Sequence, residues 1–383
     1  MVRRLAIGLR YRDKDAWVGG VYYVRNLVLA LALLPPARRP RLIVIGGDAK
    51  GLEDLRQATG YPDLSRVSRS RLRRAAAPRL RIGRGGEDEV DLFLLGAPPG
   101  LEDRAVQWIP DFQEHRFPQF FPPEELKSRL RHNEDRLSMS RHVMVSSRDV
   151  AEDVRRYYGR FDVRTHVVRF ATFTDSDLQG VDVQDVRRRH GLNGRYFICS
   201  NQFWRHKNHA VVLRALAEAT ADPGAPPMVF TGLEEDYRDP AYGPSVRALA
   251  ADLGVVDRVR FLGFLPRGDQ LSLIAGAIAV VQPSLCEGWS TVVEDAKSLG
   301  RQVLASDIAV HREQLDASVD FFEADDHRQL SRLLLQYRDA DPPARTADYA
   351  LARQRFADDL WDVIAEVERD LGRRRTPRIL ISR

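Results

Sequence analysis

Residues 277–307, AIAVVQPSLCEGWSTVVEDAKSLGRQVLASD, limit the folds open to this chain more than any other stretch. An apolar run at 277–282 leads through a short polar loop to a helical pattern that begins near Thr291. A second apolar run at 302–305 follows and stops at Ser306 and Asp307. That order is a βαβ unit, with carboxylates at the carboxyl end of its first strand and in its first helical turn. Open α/β sheets take ligands at this edge, and helix amino ends offer anions free N–H groups and a favourable dipole. Glu287 and Glu294 are themselves anionic, so they suit the hydroxyls of a sugar or ribose. The N–H groups of Ser290 and Thr291 beside them are able to hold a phosphate. A capped surface helix with solvated acids would carry the same letters.

The unit has company. Strand-like runs at 4–9, 41–46, 90–95, 105–109, 142–145 and 164–168 alternate with helical segments in the first half. Runs at 195–200, 228–231, 258–262 and 319–322 do so in the second. Such alternation builds parallel sheets covered on both faces. A chain of 383 residues has room for two of them. The expected fold class is therefore α/β, with two Rossmann-like domains at 1–175 and 185–345 facing a cleft. A polar stretch without periodicity at 171–184 is the expected linker, and 346–383 the closing helix and basic tail. In that helix Phe356, Leu360, Ile364, Val367 and Leu371 make one apolar stripe, which suits a helix docked on another domain.

Composition narrows the class further. With 44% hydrophobic and 30% charged residues the chain is globular rather than disordered. Its net charge of +5 favours phosphate-bearing or acidic partners, yet no zinc-finger, RRM-like or zipper spacing points to nucleic acid. No apolar run has the length of a membrane span, and the first residues read as a strand rather than a signal peptide. Cys199 and Cys286 make neither a disulfide framework nor a zinc site, so a cytoplasmic setting is expected. The arginine-dense run from Arg66 to Arg84 reads first as a solvated loop. Its second reading is a peripheral contact with the anionic inner face of a membrane. The two Asp-x-Asp spellings, at Asp13 and Asp339, lie in polar turns, and no metal is expected.

Three further segments carry chemistry. Gly19 and Gly20 close a loop after the first strand and precede a helix read at 21–34, an arrangement that lets backbone approach a diphosphate. A plain tight turn would read the same way. The loop PDFQEHRFP at 110–118 follows a strand and offers Asp111, Gln113 and His115, although a surface histidine beside core aromatics is the bland version. The loop NQFWRHKNH at 201–209 places Arg205 and Lys207 between a strand and a helix, as a bound diphosphate requires.

These segments together resemble the retaining GT-B glycosyltransferases of family 4. The paired glutamates match that family's motif, with six residues between Glu287 and Glu294 where seven are usual. The resemblance implies a nucleotide-diphosphate-sugar donor, Glu287 near the donor sugar and Glu294 on the ribose. Gly288, Trp289, Ser290 and Thr291 would form the loop between them. It implies Lys207 on the diphosphate, with Gln202 where the family usually has arginine and Arg205 as a replacement charge. Gly263, Phe264 and Leu265 would hold the base edge, and Gly19 and Gly20 would lie beside the diphosphate. Asp111, Gln113 and His115 match an Asp-Phe-Gln-x-x-x-x-Pro-x-Phe-Phe stretch on the acceptor side, and Ser146-Ser147 the floor of the cleft. It further implies a saccharide or lipid-linked acceptor, cell-envelope polysaccharide or glycolipid synthesis, no metal or other cofactor, and a C-terminal helix crossing back to the first domain. A non-catalytic nucleotide-sugar-binding subunit, an epimerase and a sugar phosphorylase are the competing readings.

Overall fold

The computed structural model describes residues 4–11, 18–67, 89–220, 222, 224–316, 319–339, 349–373 and 379–380. It divides into two compact units. One comprises Met1–Phe112, Ser128–Ala171 and Ala350–Arg383, and the other Gln113–Lys127 and Thr172–Tyr349.

The first unit is built on a parallel sheet. Its strands are β1 (Ala6–Arg10), β2 (Arg41–Ile45), β3 (Leu64–Val67), β5 (Leu92–Leu94), β6 (Ala105–Trp108), β7 (His142–Val145) and β8 (Arg164–Val167). They lie in the order β3-β2-β1-β5-β6-β7-β8. Helices α1 (Val18–Leu33), α2 (Ala49–Thr59), most of α4 (Pro123–Met139) and α5 (Arg148–Tyr158) belong to it. Between α2 and α4 the short helix α3 (Gln113–Arg116) falls in the other unit. The first unit's last helix, α14 (Tyr349–Arg373), buries Phe356, Leu360, Ile364 and Val367. Asp370 on it reaches His142 Nε2 at 3.4 Å, and Phe356 lies 6.5 Å from the ring of Tyr23. The stripe read from the sequence thus docks the C-terminal helix on the N-terminal sheet.

Several expectations change here. Gly19 and Gly20 lie inside the first turn of α1 and not in a turn before it, and neither has a positive φ. The apolar helix that follows extends back over them, so their freedom from a side chain is not used for a left-handed bend. The run at 90–95 divides, with β4 (Glu89–Val90) pairing antiparallel with β15 (Ile379–Leu380), so part of the basic tail forms a strand. Helix α2, absent from the sequence reading, is capped by the Asp48 carboxylate, which accepts from Gly51 N at 2.6 Å. It ends at Gly60 with φ +58°. Of the arginine-dense run, all but Arg66 and Val67 lies outside the described residues.

The second unit has α6 (Asp175–Leu178) and α7 (Val183–Arg189) in the stretch expected to be a linker. Then come β9 (Phe197–Ser200), α8 (His209–Ala219), β10 (Met228–Thr231), α9 (Tyr242–Asp252), β11 (Val259–Phe261) and α10 (Arg267–Gly276). They continue with β12 (Ala279–Gln282), α11 (Thr291–Ser298), β13 (Gln302–Ser306), α12 (Ala309–Gln314), β14 (Asp320–Phe322) and α13 (His327–Tyr337). The parallel strands follow the order β11-β10-β9-β12-β13-β14. Alternate residues face opposite sides, so Cys199, Phe230 and Val281 share one core cluster while Ile198, Val229 and Val280 share another. Both faces are covered, as a parallel sheet requires. Chain direction across the sheet reverses between β9 and β12, which pair through Ile198 and Val280. Ligands in such sheets bind outside the carboxyl ends of the strands at this reversal. Among the described residues no helix is long and apolar enough to cross a membrane.

Candidate active site

The two strands at the reversal end in the two loops that carry chemistry. After β9 the chain runs through Asn201 to a single 3₁₀ turn, Arg205–Lys207, and leaves it at Asn208 with φ +55°. Asn208 holds that bend by donating from Nδ2 to Pro283 O at 3.2 Å and Ala324 O at 2.7 Å. Asn201 Nδ2 donates to Gln282 Oε1 at 3.2 Å, so the loop is tied directly to the end of β12. Gly232, at φ +133°, makes room for the same loop: a Cβ there would lie 2.3 Å from Asn201 O.

Lys207 Nζ meets Glu287 Oε1 at 2.6 Å. The same oxygen accepts from Ser284 Oγ at 2.7 Å and Gln282 Nε2 at 2.9 Å. Three donors converge on Oε1, and no hydrogen bond from the described residues reaches Oε2. The carboxylate is therefore fixed by one oxygen and offers the other. Burial opposes its charge, but Lys207, with smaller help from His311 and Ser284, holds its pKa below the usual value. His311 is buried behind the pair. Its Nδ1–H donates to Ser306 O at 2.8 Å, and burial, opposed by Glu287, lowers its pKa.

Helix α11 begins where the sequence placed it. Ser290 caps it, its Oγ accepting from Val293 N at 3.3 Å. One expectation fails here. The N–H of Ser290 donates to Gln314 Oε1 at 3.1 Å, so it is not available to a phosphate. Thr291 and Val292 precede the first intrahelical bond, from Glu294 N to Ser290 O, and their N–H groups remain at the helix amino end. Glu294, only 1% exposed, has both oxygens engaged. Oε1 accepts from Lys297 Nζ at 2.8 Å and Gln314 Nε2 at 3.0 Å, and Oε2 from Tyr349 Oη at 2.6 Å. Tyr349 in turn accepts from Thr172 N at 2.9 Å. Next to Glu294, Asp295 is fully buried on Arg267, Oδ1 and Oδ2 accepting at 2.5 and 2.7 Å. Trp289 is buried, with Lys297 Nζ 6.0 Å from its ring centre, and Gly288 is buried beside it.

The remaining candidates fall into two groups. Gly263 follows β11 with φ +67°, its carbonyl accepts from Gly232 N at 2.8 Å, Leu265 is buried, and Phe264 is 52% exposed. Arg205, considered as a replacement cation, is exposed and ion-paired with Asp239, and half-buried Gln202 precedes it. Gln113 and His115 belong to the second unit, where Gln113 is buried and burial lowers the pKa of His115. Asp111, Gly19 and Gly20 belong to the first. Sequence reading missed Gln282, Ser284, Gln314 and Tyr349. Only Gln282 left a signal, as the polar residue closing an apolar strand. Both cysteines are free and buried, and burial pushes the Cys199 thiol up to about 12.

Residues 182–350, somewhat under half of the chain, match the family model of glycosyl transferases group 1. No curated protein matches the sequence. Among solved structures the chain is similar to a glycosyltransferase from Rickettsia africae, with TM-score 0.67 and 13% identity over 96% of this chain and 99% of that one. It is also similar to Alr3699/HepE of Anabaena in complex with UDP-glucose, with TM-score 0.64 and 16% identity over 97% and 99%. A third is WaaG, a glycosyltransferase involved in lipopolysaccharide biosynthesis, with TM-score 0.58 and 14% identity over 95% and 98%. At such identities the likeness establishes the fold, which is the two-unit GT-B type.

Proposed function

We propose that this chain is a glycosyltransferase that moves a sugar from a nucleotide-diphosphate donor to a hydroxyl acceptor. The observation that carries the reading is the Lys207–Glu287 pair at the sheet's reversal point, with Glu287 Oε2 left open beside a helix amino end. A diphosphate needs a cation and N–H donors, and Lys207 with Thr291 and Val292 supplies both without a metal. A pyranose needs fixed acceptors for its hydroxyls, and Glu287 Oε2 is one. Glu294 serves the ribose by exchanging one of its present donors for a ribose hydroxyl. The family model over 182–350 and the fold shared with a UDP-glucose complex support the same donor class.

In the reaction the bond from the anomeric carbon to the diphosphate breaks, and the diphosphate leaves with the electron pair, stabilised by Lys207. The acceptor oxygen forms the new bond and releases its proton. His115, whose pKa burial lowers, is the base this reading assigns to it, with Asp111 as the alternative that the motif resemblance implies. Retention of anomeric configuration, a family 4 assignment and a role in cell-envelope polysaccharide or glycolipid synthesis follow from the motif resemblance. Location in the cytoplasm, with arginine-mediated contact to the membrane surface, is part of the same proposal.

The test is to incubate the full chain with UDP-, GDP-, ADP- and dTDP-glucose and to follow release of the nucleotide. Turnover of one donor, reduced about a hundredfold in Glu287→Gln, is expected for a group that orients the reacting sugar. Tight nucleotide binding without sugar release, in the presence of a mixed glycan and glycolipid acceptor pool, would favour the binding-subunit reading.

A further inference from the structure

We infer that Arg238 is a positioning residue that fastens segment 113–127, and with it His115, to the loop carrying Lys207. The segment's neighbours on both sides, Phe112 and Ser128, belong to the first unit, yet the segment itself is part of the second. Side-chain contacts also join it to that unit, and two of them meet at one guanidinium. Arg238 and Asp236 are 4% and 2% exposed at their side chains, and Arg238 Nε and Nη2 donate to the two Asp236 oxygens at 2.9 and 3.0 Å. The charge is thereby balanced inside the unit, and Nη1 and the guanidinium carbon meet other partners. Nη1 donates to Gln113 Oε1 at 3.5 Å. The ring of Phe121 lies 5.2 Å from the guanidinium carbon and that of Trp204, three residues before Lys207, 4.7 Å. The adjacent Tyr237 donates its hydroxyl to Glu125 Oε1 at 2.7 Å.

Gln113, Phe121 and Glu125 span the segment, so it is held at three points by two consecutive residues. A planar guanidinium makes a bidentate ion pair and stacks on rings at once, which a lysine ammonium cannot do. Loosening this clamp would leave the side-chain bonds of Lys207, Glu287 and Glu294 in place, because none of them is made to Arg238. This role for Arg238 rests on the proposed function for its catalytic meaning, and on geometry alone for the fastening.

Two variants separate the possibilities. Arg238→Lys keeps the positive charge opposite Asp236, and Phe121→Ala keeps the ion pair itself. Hydrogen–deuterium exchange of the full chain is expected to show amides of 113–127 exchanging about tenfold faster in both variants, with β9 and β12 unchanged. UDP, GDP, ADP and dTDP affinities should stay within about twofold of wild type while release of nucleotide from the matching glucose donor falls about tenfold. Unchanged exchange over 113–127 in both variants overturns the fastening. Faster exchange with undiminished turnover overturns the positioning role. If the wild type binds none of the four nucleotides, the proposed function fails, and the exchange measurement still decides whether Arg238 holds the segment.

Discussion

Replacing Lys207 with alanine removes the ammonium from a carboxylate that stays buried. Glu287 is 7% exposed, and its Oε1 keeps the Ser284 and Gln282 donors after the change. Breaking a buried pair by deleting one partner costs about 3–5 kcal/mol, because the other charge is left uncompensated. The two surviving donors put the expected loss near the lower end, at about 3 kcal/mol. For a unit of this size that is a fall of about 6–12 °C in Tm. The pH dependence carries a second signature. In the wild type the Glu287 pKa is held below its ordinary value of 4.5, so its contribution is complete above that value and is lost as pH falls through the folded one. In Lys207→Ala burial acts without the lysine, so the folded pKa rises and the sign reverses. Protonation now relieves the variant as pH falls, and the gap between the two proteins narrows between about pH 7 and 4. Urea denaturation followed by tryptophan fluorescence across that range measures both effects. A loss below about 1 kcal/mol, or a gap independent of pH, would show that the pair is not the buried, mutually dependent unit described here.

Other perturbations follow from the same geometry. Tyr349→Phe deletes the donor to Glu294 and the acceptor of Thr172 N, and calorimetry should show a loss of about 1–3 kcal/mol. Gly232→Ala forces a Cβ to within 2.3 Å of Asn201 O at a φ of +133°, and should cost at least about 2 kcal/mol by thermal denaturation, with the 201–208 loop displaced in a crystal structure. In the first unit His142 and His166 hydrogen bond at 3.0 Å, and burial lowers both, His166 to about 4 from an ordinary 6.5. The unfolded chain takes up protons below 6.5 while folded His166 resists, so stability should drop by up to about 1.4 kcal/mol per pH unit from this histidine on going from 6.5 toward 4, with His142 adding in the same direction. His166→Phe should flatten that slope in acid titrations monitored by circular dichroism.

Much of this architecture was legible in the sequence because its local signals agree. Strands β7 and β10 and helix α5 fall where apolar runs and caps put them, and Ser290, whose side chain caps α11, marks that helix start in the sequence. Helix α2 went unread although Asp48 and Gly60 bracket it, because it buries only Leu52 and Leu55 and so shows little apolar stripe. Gly19 and Gly20 read as a turn because glycine disfavours helices, yet the strongly apolar segment after them carries the helix through. The partners of the two glutamates were invisible for another reason. Gln314 and Tyr349 are 20 and 55 residues from Glu294 and reach it only once β13, α12 and the end of the unit are in place. Chain order likewise assigned Gln113 and His115 to the first domain. Proximity in the folded chain groups them with the second.

The proposed function requires that the loops after β9 and β12 bind a nucleoside diphosphate. Isothermal titration of the wild type, Lys207→Met and Glu294→Gln with UDP, GDP, ADP and dTDP tests it most directly. One nucleotide should bind the wild type, with affinity lowered at least about tenfold in each variant, which corresponds to about 1.4 kcal/mol. Binding of none, or equal binding by wild type and both variants, would contradict the site.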